Sequence, residues 1–560
     1  MGSEPRIAAA AGLGPRATAL ERLEASARDP LDILVIGGGI TGAGVALDAA
    51  SRDMKVGLVE RYDFASGTSS KSSKLVHGGL RYLEQREFGL VREASTEREL
   101  LHRLAPHLVQ PIPFVIPISN RWRRAMFGVG LWTYDALASF KNIKVHRYLD
   151  IAETERLVPA LPEGKLQGGF LFYDNKTDDV RLVMEVLIQA RRHGAAVANH
   201  AALVNLDASE NMCVAQVQDA LSGRTFEVRA KKVAVAAGVW SDEVEAMTKS
   251  GEEPRLRPSK GIHLVFRRET LPMGDAAAFI PDAARKRMLF VIPWLDAVLV
   301  GTTDTAYEGS LDRPSVEAHD RAYCLDALNA AFETSLGEED IAGAFAGLRP
   351  LVAGKGGATA DLSRRFAIYD IAPSVVGITG GKLTTYRRMA AEMVDRLAND
   401  LGVQASSRTR HIKLGSSNVD TLLLAVSRRA ARLGMDSQTT TNLVRCYGDR
   451  ALDVLDHAER DGMAEPLVPG FPMTVVEALY SARHEMSVHL DDFLSRRTRL
   501  SLVDSDAGIG ADSKVTEVMG TELGWSRARA KSEMAQHREA IEHERGLKLH
   551  PARMTTAGAG

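Results

Sequence analysis

Cysteine is scarce: three residues in 560, Cys213, Cys324 and Cys446, stand too far apart for a metal-ligand spacing or a disulfide framework. Any redox chemistry here therefore needs a borrowed cofactor. Net charge is scarce as well. The 70 Lys and Arg against 72 Asp and Glu leave −2, so no general field attracts nucleic acid or an acidic surface. Long hydrophobic runs are missing too. The Ala-rich stretch at residues 8–12 is shorter than a signal-peptide core, and nothing later reaches the length of a membrane span. The expectation is a cytoplasmic protein whose contacts come from local patches. What is present is an ordinary globular composition, 45% apolar and 25% charged. At roughly 100–200 residues per domain, the length predicts two to four units.

The apolar run at residues 32–36 ends in glycines, an Ala- and Leu-rich stretch follows to Arg52, and residues 55–60 form a second apolar run. This reads as strand, helix, strand. Further strands are expected at 232–237, 262–266, 290–293, 297–301 and 375–378, with helices at 179–193 and 383–401. The mixture predicts an α/β core with a second sheet inserted into it. Beyond about residue 404 the periodicity turns helical, over 419–433, 439–447, 449–460, 474–485, 490–500 and 526–545. The expected division is a flexible extension at 1–30, an interleaved cofactor and cap unit at 31–404, a helical domain at 405–550 and a flexible tail at 551–560.

Gly37-Gly38-Gly39-Ile40-Thr41-Gly42 carries GxGxxG between that strand and helix, where glycines permit a tight turn and let backbone amides approach a pyrophosphate. Glu60 closes the second strand about twenty residues on, the position that accepts hydrogen bonds from ribose hydroxyls. FAD and NAD share this half of a site. A second glycine turn entering a helix, Gly380-Gly381-Lys382-Leu383-Thr384-Thr385, lies far along the chain and favours a long ligand with two ends, as FAD has. The strand ending Ala236-Ala237-Gly238 has small residues suited to close passage of a cofactor or of the first glycine loop.

The runs Thr68-Ser69-Ser70-Lys71, SSKLVHGGLRYLE at 72–84, Ile292-Pro293-Trp294, Gly301-Thr302-Thr303-Asp304, Gly347-Leu348-Arg349-Pro350-Leu351 and residues 380–387 closely resemble the FAD-dependent glycerol-3-phosphate dehydrogenases. The resemblance covers about residues 32–398 and continues into the helical region at 478–480 and 492–500. One departure is Ala236-Ala237-Gly238-Val239-Trp240, where Ala-Thr-Gly-Pro-Trp is commoner. The resemblance implies a glutathione-reductase-like FAD-binding domain, a substrate-binding cap with an antiparallel sheet, and a C-terminal all-helical domain. It implies oxidation of sn-glycerol 3-phosphate to dihydroxyacetone phosphate by hydride transfer to flavin N5. Electrons then pass to a quinone, on the inner face of the cytoplasmic membrane, from an enzyme that commonly dimerises.

Oxidising a secondary alcohol needs a base beside the flavin, and a phosphate anchor must fix the carbon. Arg349 and Arg364 are the expected anchors, because guanidinium forks match phosphate oxygens. Lys382, at the second glycine turn, is placed to stabilise a reduced flavin and a developing alkoxide. His77 is the candidate base and His263 its rival. Arg81 and Tyr82 complete the pocket wall. The expected cofactor contacts are Gly37, Gly39, Ile40, Thr41, Gly42, Glu60, Thr68, Ser69, Ser70, Ser73, Lys74, Leu75, His77, Gly78, Ala237, Gly238, Gly381, Lys382, Leu383 and Thr384. Composition alone reads 68–74 as a Ser-rich surface loop; the family match reverses that reading.

Residues 121–134 cluster Arg with Trp, Phe and Met over a length that dips into one membrane interface or caps a core helix with solvated arginines. Two further readings remain open: an oxidase using dioxygen, or another amine- or amino-acid-oxidase-like flavoenzyme on the same fold. No nucleic-acid site is expected, because aromatic stacking residues are sparse in the basic helical region.

Overall fold

The computed structural model describes residues 12–79, 87–137, 144–162, 164–248, 255–282, 287–352 and 366–549. Two sheets organise the first 400 residues. In the first, strand Leu31–Ile36 pairs in parallel with Val56–Val59 on one side and Thr225–Val235 on the other, and Val375–Gly380 continues the parallel order. Its residues are nearly all buried, as strands covered on both faces must be. Helix Ile40–Ser51 packs between helices Asp179–Arg192 and Tyr386–Asp400. Its small residues allow this: a Cβ on Gly44 would lie 2.8 Å from the Tyr386 ring.

The second sheet forms the cap. Strand Leu256–Arg267 pairs antiparallel with Ala297–Gly301 and, along nearly its whole length, with Ile341–Val352. One pair departs from the antiparallel expectation: Ala277–Asp282 runs parallel to Gln110–Ile118. Side chains alternate along a strand, so Phe345, Gly347 and Arg349 of Ile341–Val352 share one face.

From residue 419 the chain is helical: Val419–Arg432, Ser437–Tyr447, Ala451–Asp461 and Val475–His484 surround a core of Leu443, Tyr447, Leu455 and Tyr480, while Asp512–Leu523 packs Val515 and Met519 into the cap sheet's core and Arg527–Arg545 lies against strand Ile341–Val352. Asn418, Asp436 and Ser526 cap three of these helices by accepting from Thr421 N, Thr439 N and Arg529 N. The helix expected at 490–500 is instead a π-helical turn, Asp492–Arg497, then Arg499 at φ 65° and the short helix Leu500–Val503. The widened turn brings the guanidinium groups of Arg496 and Arg497 onto one buried carboxylate, Asp63.

Residues 12–30 correct the expectation of a flexible extension. Helix Arg16–Ala25 buries Leu20 and Leu23 against the first sheet, and Arg16 donates to Asn199 O, His200 O and Asp219 Oδ1. The 121–134 segment is helix Arg121–Leu137 with two characters. Leu131 and Tyr134 are buried, while Trp122, Met126, Val129 and Trp132 are 46–76% exposed along the other face.

Candidate active site

Two adjoining cavities, of about 330 and 170 Å³, lie between the sheets and are both bordered by Ile40, Ser69, Gly381, Lys382 and Leu383. The smaller sits under the first glycine turn, against Gly37, Gly39, Thr41, Glu60, Ala237 and Gly238. Gly37 holds φ 110°, and a Cβ there would lie 2.5 Å from Ala236 O, so only glycine passes the small-residue strand end. A Cβ on Gly42 would collide with Gly37 O. The Glu60 carboxylate accepts from Gly38 N at 2.6 Å and Tyr62 N at 2.8 Å, and burial raises its pKa. Ile40 N, at the helix start, donates to Ser69 Oγ at 2.9 Å, tying the Ser-rich loop to the dinucleotide turn.

The larger cavity has a polar and an apolar end. Thr68, Ser73, Leu75, His77 and Thr384 line its wall between the two glycine turns. Gly380 and Gly381 hold φ 79° and 77°, after which Lys382 stands extended ahead of a 3₁₀ turn, Leu383–Thr385, that leads into the helix. The lysine is therefore presented by a glycine corner rather than by a helical turn. Thr384 Oγ1 accepts from His77 N at 3.1 Å, fixing the histidine loop against that corner. At the polar end Arg349 donates to Thr302 Oγ1 at 2.9 Å and Thr303 O at 3.1 Å, and lies 3.4 Å from Asp304. Gly261 leaves room for the guanidinium, which an added Cβ would strike.

The two histidines differ. His263 is buried, stacked on Phe345 with centroids 4.8 Å apart, and its Nε2 lies 2.9 Å from Ser73 Oγ. Burial, with Lys74 and Arg349 nearby, lowers its pKa to about 3. A ring so reluctant to accept a proton is a poor base near neutrality, which counts against the expectation of His263 as the base. His77 lines the cavity edge-on to Phe290.

Three expected cofactor contacts face away from both cavities. Lys74 is fully buried and donates to both carboxylate oxygens of Asp179 and to Ser70 O; burial lowers its pKa to about 8. Asp179 sits at a helix start, a position that favours an anion, and this draws the ammonium inward. The Ser70 hydroxyl turns back to Gly67 O, and Gly78 N donates to Asp174. Arg81, Tyr82 and Arg364 lie outside the described residues. The apolar end was not expected: Ile116, Phe127, Phe279, Met288 and Phe290 line it. These residues come from separate strands and one helix, and no local motif marks them.

Residues 32–382 match the family of FAD dependent oxidoreductases, and residues 407–530 match the C-terminal domain of alpha-glycerophosphate oxidase. Glycerol-3-phosphate dehydrogenase 2 of Mycobacterium tuberculosis is 40% identical over 543 residues, 96% of this chain and 92% of the relative. The aerobic glycerol-3-phosphate dehydrogenase of Staphylococcus saprophyticus is 35% identical over 538 residues, 93% and 96% of the two chains. The chain belongs to the FAD-dependent glycerol-3-phosphate dehydrogenase family. The crystal structure of the Bacillus halodurans glycerol-3-phosphate dehydrogenase complexed with FAD matches at 30% identity and a TM-score of 0.79, over 95% of this chain and 98% of that one. L-alpha-glycerophosphate oxidase of Mycoplasma pneumoniae shares the fold at 20% identity, with a TM-score of 0.53 over 68% of this chain.

Membership makes FAD the cofactor, and the residues present fit it. The Gly37 and Gly42 corner is a cradle that any side chain would fill, beneath a helix start that favours phosphate. Glu60, the small Ala237-Gly238 turn and the second glycine corner supply the remaining walls.

Proposed function

We propose that the chain oxidises sn-glycerol 3-phosphate to dihydroxyacetone phosphate and passes the electrons to a membrane quinone. The observation that carries the substrate is Arg349, held by Thr302 and Thr303 at the polar end of a cavity that adjoins the FAD cradle. Its fork suits a phosphate dianion, and its 3.4 Å contact with Asp304 is long enough to yield to one. His77 accepts the proton of the C2 hydroxyl, and the Lys382 ammonium steadies the oxygen as that proton leaves. Bound FAD supplies the two-electron acceptor chemistry. The relatives' names, glycerol-3-phosphate dehydrogenase, support the same substrate.

The cavity's other end supports an apolar acceptor. Phe127 lines it from helix Arg121–Leu137, whose outer face exposes Trp122, Met126, Val129 and Trp132. No helix among the described residues is long and apolar enough to cross a membrane. That face suits a helix lying in one interface, with Arg121, Arg123 and Arg124 at the level of anionic headgroups.

The experiment is anaerobic. Glycerol 3-phosphate bleaches the flavin of the purified protein and unphosphorylated glycerol does not; equal bleaching by both would reject the phosphate assignment. In air, turnover with a water-soluble quinone proceeds without stoichiometric peroxide, whereas peroxide equal to the ester consumed would make the protein an oxidase.

A further inference from the structure

Lys71 borders the active cavity and two smaller ones, and no role above uses it. The larger of these two, of about 160 Å³, is walled by His543 and Glu544 of the C-terminal helix, by Asp312 and Arg313, and by Trp240. Thr68 lines it and the active cavity as well, so these two residues form the partition. Thr68 is fixed, its hydroxyl donating to Leu348 O at 2.6 Å. Lys71 is held at its two ends. A Cβ on Gly347 would lie 2.7 Å from both Lys71 Cβ and Lys71 O, which seats the lysine backbone directly on that strand. Its long stem reaches out to an ion pair with Glu544, each side chain about a quarter exposed.

Gly347 and Arg349 share a face of their strand, so the root of Lys71 lies one side-chain repeat from the phosphate anchor. The ammonium itself leans the other way, 6.0 Å from the ring centroid of Phe345, so it reaches the anchor only by swinging about its root once Glu544 lets go. Lys71 and Arg349 line the same cavity, each with a carboxylate partner of its own, Glu544 and Asp304. A phosphate dianion carries more charge than either carboxylate and can accept from both cations, and Glu544, about a quarter exposed, is a replaceable partner. The route matters too. A dianion crosses the aromatic end of the active cavity only at a large desolvation cost, whereas the side cavity offers charged and polar walls.

We propose that Lys71 is a second cationic contact for the phosphate of the substrate, released from Glu544 as the ester enters through the cavity beside the C-terminal helix. The proposal rests on the phosphate-ester reading of the active cavity. It makes Lys71 a binding residue and Glu544 a positioning residue that acts through it.

The probe is inorganic phosphate titrated into the FAD-loaded full-length protein, read by the flavin absorbance change and by the rise in thermal midpoint. Lys71→Ala weakens phosphate binding about tenfold, the size expected for one charge-assisted contact. Glu544→Gln tightens it severalfold, because the ammonium is no longer held back, and Lys71→Arg stays near wild type. With glycerol 3-phosphate as substrate, KM moves in the same directions and by more than kcat. Unchanged phosphate affinity in Lys71→Ala overturns the proposal. So does equal weakening by Glu544→Gln, the signature of a pair that only holds the helix in place. Should glycerol 3-phosphate fail to bleach the wild-type flavin while phosphate binding still depends on Lys71, the substrate assignment falls and the phosphate contact stands.

Discussion

The seam between the helical domain and the FAD domain and the active cavity both hold buried or half-buried cations, but they treat them differently. At the seam buried charges are paired at short range. Arg181 meets Glu485 at 2.7 Å, Arg497 meets Asp63 at 2.8 Å, and Arg450 donates to Glu185 at 3.0 Å, all with side chains at most 3% exposed. In the cavity Arg349 is 27% exposed and its carboxylate contact is 3.4 Å, while Lys71 is bound to an acid from a distant helix. Buried pairs of this kind are closed to a ligand, and removing one member strands the other. Cations at a partly exposed cavity wall can exchange a carboxylate partner for a ligand anion. On the proposed reading, the difference separates structural charge from functional charge within one fold.

The largest effect belongs to the seam. Burial alone would push the Glu185 carboxyl up, but Arg450 and His107 more than offset it and hold its pKa down to about 2. The folded value lies below the unfolded one, so the stability this group contributes is complete above about pH 4.5 and fades as pH falls toward 2. Glu185→Gln is expected to cost about 3–5 kcal/mol at neutral pH, because Arg450 is left buried and unpaired. Urea denaturation should show that deficit shrinking between pH 4.5 and 2. Adding Arg450→Met should recover most of it; no recovery would mean that the pair is not the unit of stability. The cavity responds in binding instead. Arg349→Ala should raise KM for glycerol 3-phosphate about 100-fold, close to 2.7 kcal/mol, while the protein keeps its yellow flavin. Arg349→Lys should fall between, since a point charge replaces the fork. An unchanged KM would move the anchor elsewhere.

The seam was largely illegible in the sequence and the cavity was partly legible, for one physical reason. Glycine turns and the acid at Glu60 are local patterns whose chemistry is set by spacing, and in the fold they border the two adjoining cavities, as does the Ser-rich loop that only the family match singled out. Ion pairs such as Arg450 with Glu185 join residues 265 positions apart, and nothing near either one announces the other. Lys74 shows the limit of motif reading. It stands in the most distinctive run of the chain, yet its ammonium turns inward to Asp179, 105 positions away. Strand Gln110–Ile118 was missed because Pro111, Pro113 and Pro117 argue against a strand. They fall at alternate positions, so their missing N–H groups share one edge and leave the other free to pair along its length with Gly168–Lys176.

The exposed helix face carries the next effect. Trp122, Met126, Val129 and Trp132 are spaced by four and three residues, so they line one side of helix Arg121–Leu137. Replacing Trp122 and Trp132 together by Ser should lower partitioning onto anionic vesicles at least tenfold, given the apolar area of two indole rings. Arg123→Glu with Arg124→Glu should lower it less and make it lose most of its salt dependence. Flotation of the holoenzyme with vesicles measures both, and equal binding by all variants would remove this face from the membrane.

The smallest effect tests a residue that lies in the cavity but is held like the seam. His263 lines the active cavity, yet burial, with Lys74 and Arg349 beside it, keeps its pKa near 3. It is neutral at every pH at which the enzyme works, so the shape of the kcat/KM profile between pH 5 and 8 should be the same in His263→Asn as in the wild type. Its trace should appear in stability. The folded pKa lies below the unfolded value near 6.5, so the unfolded chain binds the extra proton and stability falls as pH drops from about 6.5 toward 3. His263→Asn should flatten that part of the acid limb, seen as a smaller difference in thermal midpoint between pH 7 and pH 4. A variant that instead erased the acid limb of kcat/KM would make His263 the proton acceptor and return His77 to a structural role.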